Sequence, residues 1–201
     1  MPVEKLLVAN RGEIAIRVAR AAGDLDIPTV SVFSSDDHLS LHTQATDYSE
    51  GLDGSGVSAY LDIGQIVEIA VSTGCDAVHP GYGFLAENAD FAQAVLDAGL
   101  LWIGPKPNAI ATMGSKIEAR RLAAEARVPI IPGFSDSQEP DDLAAAAERI
   151  GYPVLVKAAA GGGGKGIRIA ETPAHFAHAL SEAVTEATRS FGDGRVIVER
   201  Y

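Results

Sequence analysis

The sequence holds one cysteine, Cys75, so no disulfide can form within it. That fits a reducing, cytoplasmic setting, and Cys75 reads as a small buried hydrophobe because no base stands near it in sequence. Long apolar runs are also missing. A stretch such as residues 63–70 is short and broken by polar residues, which argues against a transmembrane helix. The first residues pass directly into Leu6-Leu7-Val8, without a charged leader and a long apolar core, so no signal peptide is expected. Basic residues are outnumbered, 16 Lys and Arg against 27 Asp and Glu, for a net charge of −11. A nucleic-acid surface needs basic stripes, so that function class is set aside. Anionic substrates would then be held by local devices such as glycine loops, helix ends and single lysines, not by the overall field. Metal-ligand clusters are scarce too. His38 and His42 are four apart and His175 and His178 three apart, yet neither pair has a third ligand beside it, so no metal site is expected. No Ser-His-Asp grouping follows from spacing.

What the chain does have is glycine concentrated in one place. Val154, Leu155 and Val156 are strand formers that lead to Lys157; Gly161 to Gly164, Lys165 and Gly166 follow; then Ile167 and Ile169 alternate with Arg168. This reads as strand, glycine loop, strand, with the isoleucines marking a half-buried strand. Four consecutive glycines cost backbone entropy and suit a loop that must come close to something. Bare N–H groups there can turn toward an anion, with Lys157 and Lys165 adding charge. The reading is a lid over the phosphates of a nucleotide. Gly161, Gly163 and Gly166 match a dinucleotide fingerprint in spacing, but that fingerprint requires a helix after the loop, and a strand follows here. A Walker loop fails as well, because Gly166 stands where Ser or Thr should follow Lys165. The plain alternative is an ordinary hairpin turn.

Residues 5–105 alternate strand and helix. Lys5 to Ala9 is a strand, Glu13 to Ala22 a helix ended by Gly23, and Thr29 to Phe33 a second strand. Residues 34–58 read as loops with one short helix around 39–46. A helix at 60–72, a strand at 76–79, a helix at 86–98 and a strand at 100–103 follow. The alternation spells a doubly wound α/β domain on a parallel sheet. Ligands of such sheets sit past the carboxyl ends of the strands, where the loops Asn10-Arg11-Gly12 and His79-Pro80-Gly81-Tyr82-Gly83-Phe84 lie. His79 alone reads as a buried, hydrogen-bonded histidine. Residues 115–126 form a charged helix whose ordinary role is a solvated face, and residues 129–133 look like a domain boundary. An Ala-rich helix at 141–150, the glycine hairpin, a helix from Pro173 to about Arg189 and a last strand at 195–201 complete the chain. It stops in mid-architecture, which suggests a piece of a longer protein.

With these pieces placed, the sequence resembles the biotin carboxylase component of biotin-dependent carboxylases, in the ATP-grasp superfamily, of the acyl-CoA carboxylase alpha-chain type. The matching runs are Val8-Ala9-Asn10-Arg11-Gly12-Glu13-Ile14-Ala15-Ile16-Arg17, His79-Pro80-Gly81-Tyr82-Gly83-Phe84-Leu85-Ala86-Glu87-Asn88, Ile103-Gly104-Pro105, Met113-Gly114-Ser115-Lys116, Gly151-Tyr152-Pro153-Val154 and the run from Lys157 to Gly166. Residues 43–58 depart from the family pattern. The resemblance implies a Rossmann-like pre-ATP-grasp domain at 1–113 and the first part of the ATP-grasp domain, with its lid, at 114–201. It implies ATP- and bicarbonate-dependent carboxylation of biotin on a carrier domain. Lys116 and Lys157 match ATP-contacting lysines; Gly163 and Gly164, with Lys165 and Gly166, match the lid; Glu199, Arg200 and Tyr201 match the strand lining the adenine pocket. It places the magnesium, bicarbonate and biotin residues beyond residue 201, so that no catalytic residue lies in this chain and the chain alone is inactive. The partners it implies are a biotin carrier domain, a carboxyltransferase and a second copy, with Arg17 on the helix where dimer contacts occur. Other readings are a pyruvate or urea carboxylase, a carbamoyl-phosphate synthase-like ligase, and a non-catalytic assembly fragment.

Overall fold

The computed structural model describes residues 2–161 and 166–201, so Gly163, Gly164 and Lys165 of the glycine loop lie outside the described residues. The chain divides into two compact units, Met1–Ala111 and Thr112–Tyr201.

In the first unit, β1 (Leu6–Val8), α1 (Gly12–Gly23) and β2 (Thr29–Phe33) form a parallel βαβ unit. Strands β3 (Tyr48–Gly51), β4 (Ala77–His79) and β5 (Leu101–Trp102) complete a parallel sheet of order β3-β2-β1-β4-β5. Central β1 is buried throughout, which is why it is an unbroken apolar run and not an alternating one. Successive residues face opposite sides. Leu6, Val8 and Ala77 pack under Ala15, Val18 and Ala22 of α1. Leu7, Val30, Val32 and Val78 pack under Ile66 and Ala70 of α4 (Ile63–Ser72) and under Phe91, Ala92 and Val95 of α5 (Ala89–Asp97). Helices thus lie on both faces, as a doubly wound sheet requires.

The stretch 34–58 departs from expectation. It carries α2 (Leu41–Ala45), as anticipated, but also β3 and α3 (Gly56–Ala59). All four residues of β3 are exposed, so this edge strand has no apolar alternation to betray it. Helix α4 begins later than periodicity suggested, because Asp62 caps it by accepting from the Gln65 N–H at 3.0 Å. Asn88 sets the start of α5 in the same way, through the Phe91 N–H at 2.9 Å.

Helix α6 (Pro107–Gly114) carries the chain onward. The second unit holds α7 (Lys116–Glu125), β6 (Gly133–Phe134), α8 (Pro140–Ile150), β7 (Val154–Ala158), β8 (Ile167–Ala170), α9 (Pro173–Phe191) and β9 (Val196–Arg200). Its sheet is antiparallel, with order β6-β9-β7-β8. Leu143 and Ala147 of α8, with Phe176, Ala179, Leu180 and Ala183 of α9, bury Val154, Val156, Ala170, Val196 and Val198 on one face.

Two expectations fail here. Residues 129–133 are not a boundary between units: Gly133 lies inside the second unit, paired with Glu199 in the sheet. Ile167 and Ile169 do not point inward but are 39% and 46% exposed. The helix side of β8 instead takes Ala170 and Arg168, whose guanidinium meets Glu182 and Glu186 of α9 at 3.0 and 2.9 Å. Among the described residues no helix is long and apolar enough to cross a membrane.

Candidate functional site

The face of the second unit's sheet opposite α8 and α9 carries the polar groups. Alternation along β7 turns Val154, Val156 and Ala158 toward the helices and leaves Leu155 and Lys157 on the other side. Along β9, Val196 and Val198 are likewise inward, so Ile197 and Glu199 share a face with Lys157. The register sets Leu155 opposite Glu199 and Lys157 opposite Ile197, which makes Lys157 and Glu199 diagonal neighbours. The Lys157 ammonium donates to Oε2 of Glu199.

Glu199 has a second cation. Arg120 Nη1 stands 3.4 Å from its Oε1, and the same guanidinium donates through Nη2 to the Ile131 carbonyl at 2.6 Å. Arg120 and Glu199 side chains are each only 14% exposed. Gly133, beside Glu199 on β6, leaves room for this packing: a β-carbon there would lie 2.7 Å from the Val198 carbonyl oxygen and 3.0 Å from Arg120 Nη2.

Lys116 opens α7, behind Ser115, whose hydroxyl caps the helix by accepting from the Glu118 N–H at 3.3 Å. Its ammonium donates to the Ala158 carbonyl at 3.2 Å and to the Gly161 carbonyl, at the two sides of the departure from β7 into the glycine loop. On the returning side, Gly166 has φ +68 and accepts from the Ala158 N–H at 2.8 Å, and a β-carbon on it would lie 2.7 Å from that of Ala158. The glycine loop enters β8, a strand, and not a helix.

The second unit therefore gathers Lys157, Glu199 and Arg120, and sets Lys116 against the end of β7. The Arg200 side chain turns the other way, to the Ile150 carbonyl at 3.2 Å, and Tyr201 is 68% exposed. Arg120 is the residue the sequence reading missed, having assigned it to a solvated face. Its neighbour Arg121 does lie on such a face, paired with Glu118 and Glu125 at 3.0 and 2.5 Å. The overlooked signal was spacing: Arg120 follows Lys116 by four, which puts both on one side of α7.

In the first unit the two glycine-bearing loops meet. Asn10 is 1% exposed and donates from Nδ2 to the Pro80 and Tyr82 carbonyls at 2.7 and 2.9 Å. The His79 Nδ1 accepts from the Gly81 N–H at 2.9 Å, and burial pushes its pKa down, so it is a neutral structural histidine. Arg11 forks onto Asp37, with Nη2 2.8 Å from Oδ1, while the Tyr60 hydroxyl donates to Oδ2 at 2.8 Å and Ser40 adds a third donor. The Arg11 guanidinium, helped by these hydroxyls, holds the Asp37 carboxyl well below the usual carboxylate range against the opposing effect of burial. His42 is buried with Nε2 3.1 Å from the Val32 carbonyl, and His38 lies by the Ser35 carbonyl at 3.3 Å, so the two do not converge. Among the described residues no group of three or more His, Cys, Asp or Glu could hold a metal ion.

The family description "Biotin carboxylase, N-terminal domain" matches residues 2–110, and "Carbamoyl-phosphate synthase L chain, ATP binding domain" matches residues 115–201. The biotin-dependent acyl-coenzyme A carboxylase alpha3 subunit of Mycobacterium leprae is 49% identical over 99% of the chain, which covers 34% of that protein. Pyruvate carboxylase of Aspergillus niger is 44% identical over 100% of the chain, which covers 17% of it. Among solved structures, a Campylobacter jejuni biotin carboxylase in a beta-gamma-ATP complex aligns with a TM-score of 0.95 at 36% identity, over 100% of this chain and 45% of that one. The biotin carboxylase domain dimer of Hydrogenobacter thermophilus 2-oxoglutarate carboxylase, with MgADP, ADP and bicarbonate, aligns at 0.92 and 38%, again over 100% and 45%. The chain thus spans about a third of the first of these relatives and less of the second, and through its N-terminal domain it belongs to the biotin carboxylase family.

Proposed function

We propose that this chain supplies the N-terminal domain, residues 1–113, and the first part of the ATP-grasp domain, residues 114–201, of a biotin carboxylase that serves an acyl-CoA carboxylase. In that reaction ATP phosphorylates bicarbonate, and the carboxyphosphate delivers carbon dioxide to a ring nitrogen of carrier-bound biotin. The observation that carries the reading is the cationic cluster on the open sheet face, with Lys157 and Arg120 around Glu199 and Lys116 at the mouth of the glycine loop. Phosphoryl transfer asks a protein mainly for positioning and charge neutralisation. Lys116 and Lys157 are the cations this chain offers to phosphate oxygens, and the glycine loop, Gly163 to Gly166, offers backbone N–H groups. The adenine would lie along the end of β9, at Glu199 and Arg200, and the following Tyr201. No cluster among the described residues fits magnesium, so no step of this reading runs through it.

The acyl-CoA type is supported by the 49% identity to an acyl-coenzyme A carboxylase subunit, and a pyruvate carboxylase, 44% identical, is the second reading. Its partners would be a biotin carrier domain, a carboxyltransferase and a second copy of the protein; the dimeric 2-oxoglutarate carboxylase domain supports the last. The test is twofold. The intact protein should bind ATP in calorimetric titration and cleave it only when bicarbonate is supplied, with free biotin carboxylated; absence of ATP binding would overturn the reading. The 201-residue chain by itself should show no bicarbonate-dependent cleavage, and detectable turnover would overturn that part.

A further inference from the structure

We infer that Arg120 is a positioning residue for the nucleotide phosphates and acts through Glu199; this rests on the nucleotide reading of the preceding subsection. A carboxylate and a single ammonium pair one to one, and a lysine so neutralised has little left for a phosphate. Here the carboxylate is shared. Arg120 takes Oε1 and Lys157 takes Oε2. Arg120 is itself held, because its other nitrogen donates to the Ile131 carbonyl at 2.6 Å. A planar fork with two fixed partners sets the plane of the carboxylate it touches, which a flexible ammonium cannot do.

The geometry adds a second consequence. Lys116 and Arg120 lie one turn apart on α7, so the helix that presents Lys116 to the Ala158 and Gly161 carbonyls also reaches β9 through Glu199. Gly133 makes the approach close: a β-carbon there would stand 2.9 Å from Glu199 Cγ and 3.0 Å from Arg120 Nη2. Without Arg120, Glu199 is free to close both oxygens on Lys157 and withdraw it from the phosphates.

The experiment is a set of equilibrium titrations of the intact protein with ATP and with adenosine. Arg120→Met should weaken ATP about tenfold, the size of one lost hydrogen bond to a charged group, and leave adenosine unchanged. Arg120→Lys should recover only part of the loss, since a cation returns to Oε1 but an ammonium does not fix the plane of the carboxylate. In a Glu199→Gln background, where no carboxylate can capture Lys157, adding Arg120→Met should change ATP affinity less than about threefold. Three outcomes would overturn the inference: Arg120→Met binding ATP like the unaltered protein, ATP and adenosine weakening together, or an undiminished effect beside Glu199→Gln. If Arg120→Met alone fails to fold, Arg120→Lys and the pair with Glu199→Gln carry the same comparison. If the unaltered protein does not bind ATP, the nucleotide reading falls and this inference falls with it.

Discussion

Asn10 lies so close beneath Gly81 that a β-carbon added to the glycine would stand 2.7 Å from the asparagine Nδ2. Gly81 also has φ +66, a conformation that side-chain-bearing residues adopt at a cost. Gly81→Ala should therefore lose about 3 kcal/mol of stability, combining backbone strain with displaced Asn10 hydrogen bonds. Asn10→Ala should cost about 2 kcal/mol by orphaning the carbonyls it serves. The double variant should cost less than the sum, because truncating Asn10 removes the amide that would collide with a methyl group at position 81. Urea midpoints of the three variants check this; strict additivity would refute the contact.

Asp37 links folding to pH. Its folded pKa is depressed, chiefly by Arg11, so its contribution is present above the unfolded value of about 3.9 and is lost as pH falls through the folded one. Stability should decline from about pH 5 downward as the unfolded carboxylate begins to take up protons. Asp37→Asn should be less stable at neutral pH by about 2 kcal/mol and should lack that part of the acid slope. Parallel denaturation curves for both proteins from about pH 7 to pH 3 would contradict it.

Lys157 and Glu199 should be told apart by different measurements. Lys157→Gln removes a phosphate-facing cation and is expected to weaken ATP binding by about tenfold or more. Glu199→Gln releases Lys157 and Arg120 from a partly buried carboxylate, so the ligand-free protein should melt lower. Calorimetry and thermal unfolding read the two effects separately. Equal ATP affinity in Lys157→Gln would remove this lysine from the site.

Gly161 has φ +76, and a β-carbon on it would fall 2.2–2.5 Å from the Phe191 ring at the end of α9. Gly161→Ala should destabilise the second unit by about 2 kcal/mol or more. Pairing it with Phe191→Ala should cost less than the two single losses added together, since the colliding ring is gone. A double variant as unstable as that sum would show that the two residues do not meet.

The sequence made the doubly wound sheet legible because its strands are apolar runs punctuated by glycine, and because Gly23, Gly74 and Gly99 follow helices that are amphipathic. It hid β3, since Tyr48-Ser49-Glu50-Gly51 is exposed at an edge and lacks a period, and β6, since two residues carry no pattern at all. The orientation of β8 was misread: alternation shows that two faces differ but does not say which is inward, and Arg168 turned out to face acidic residues of α9. In the candidate site, Lys157 was legible from its place at the end of a strand. Lys116 and Glu199 drew notice only through family resemblance. Arg120 escaped because its partner is 79 residues away, beyond any local period.

The clasp between Asn10 and the 80–84 segment has a consequence for the first unit. The strand order reverses between β1 and β4, and the carboxyl-end crevice at such a reversal is where sheets of this architecture seat a coenzyme. Here Asn10, 1% exposed, sits at that reversal. The Asn10 amide, with both of its protons engaged, ties the loops after β1 and β4 to each other at that reversal.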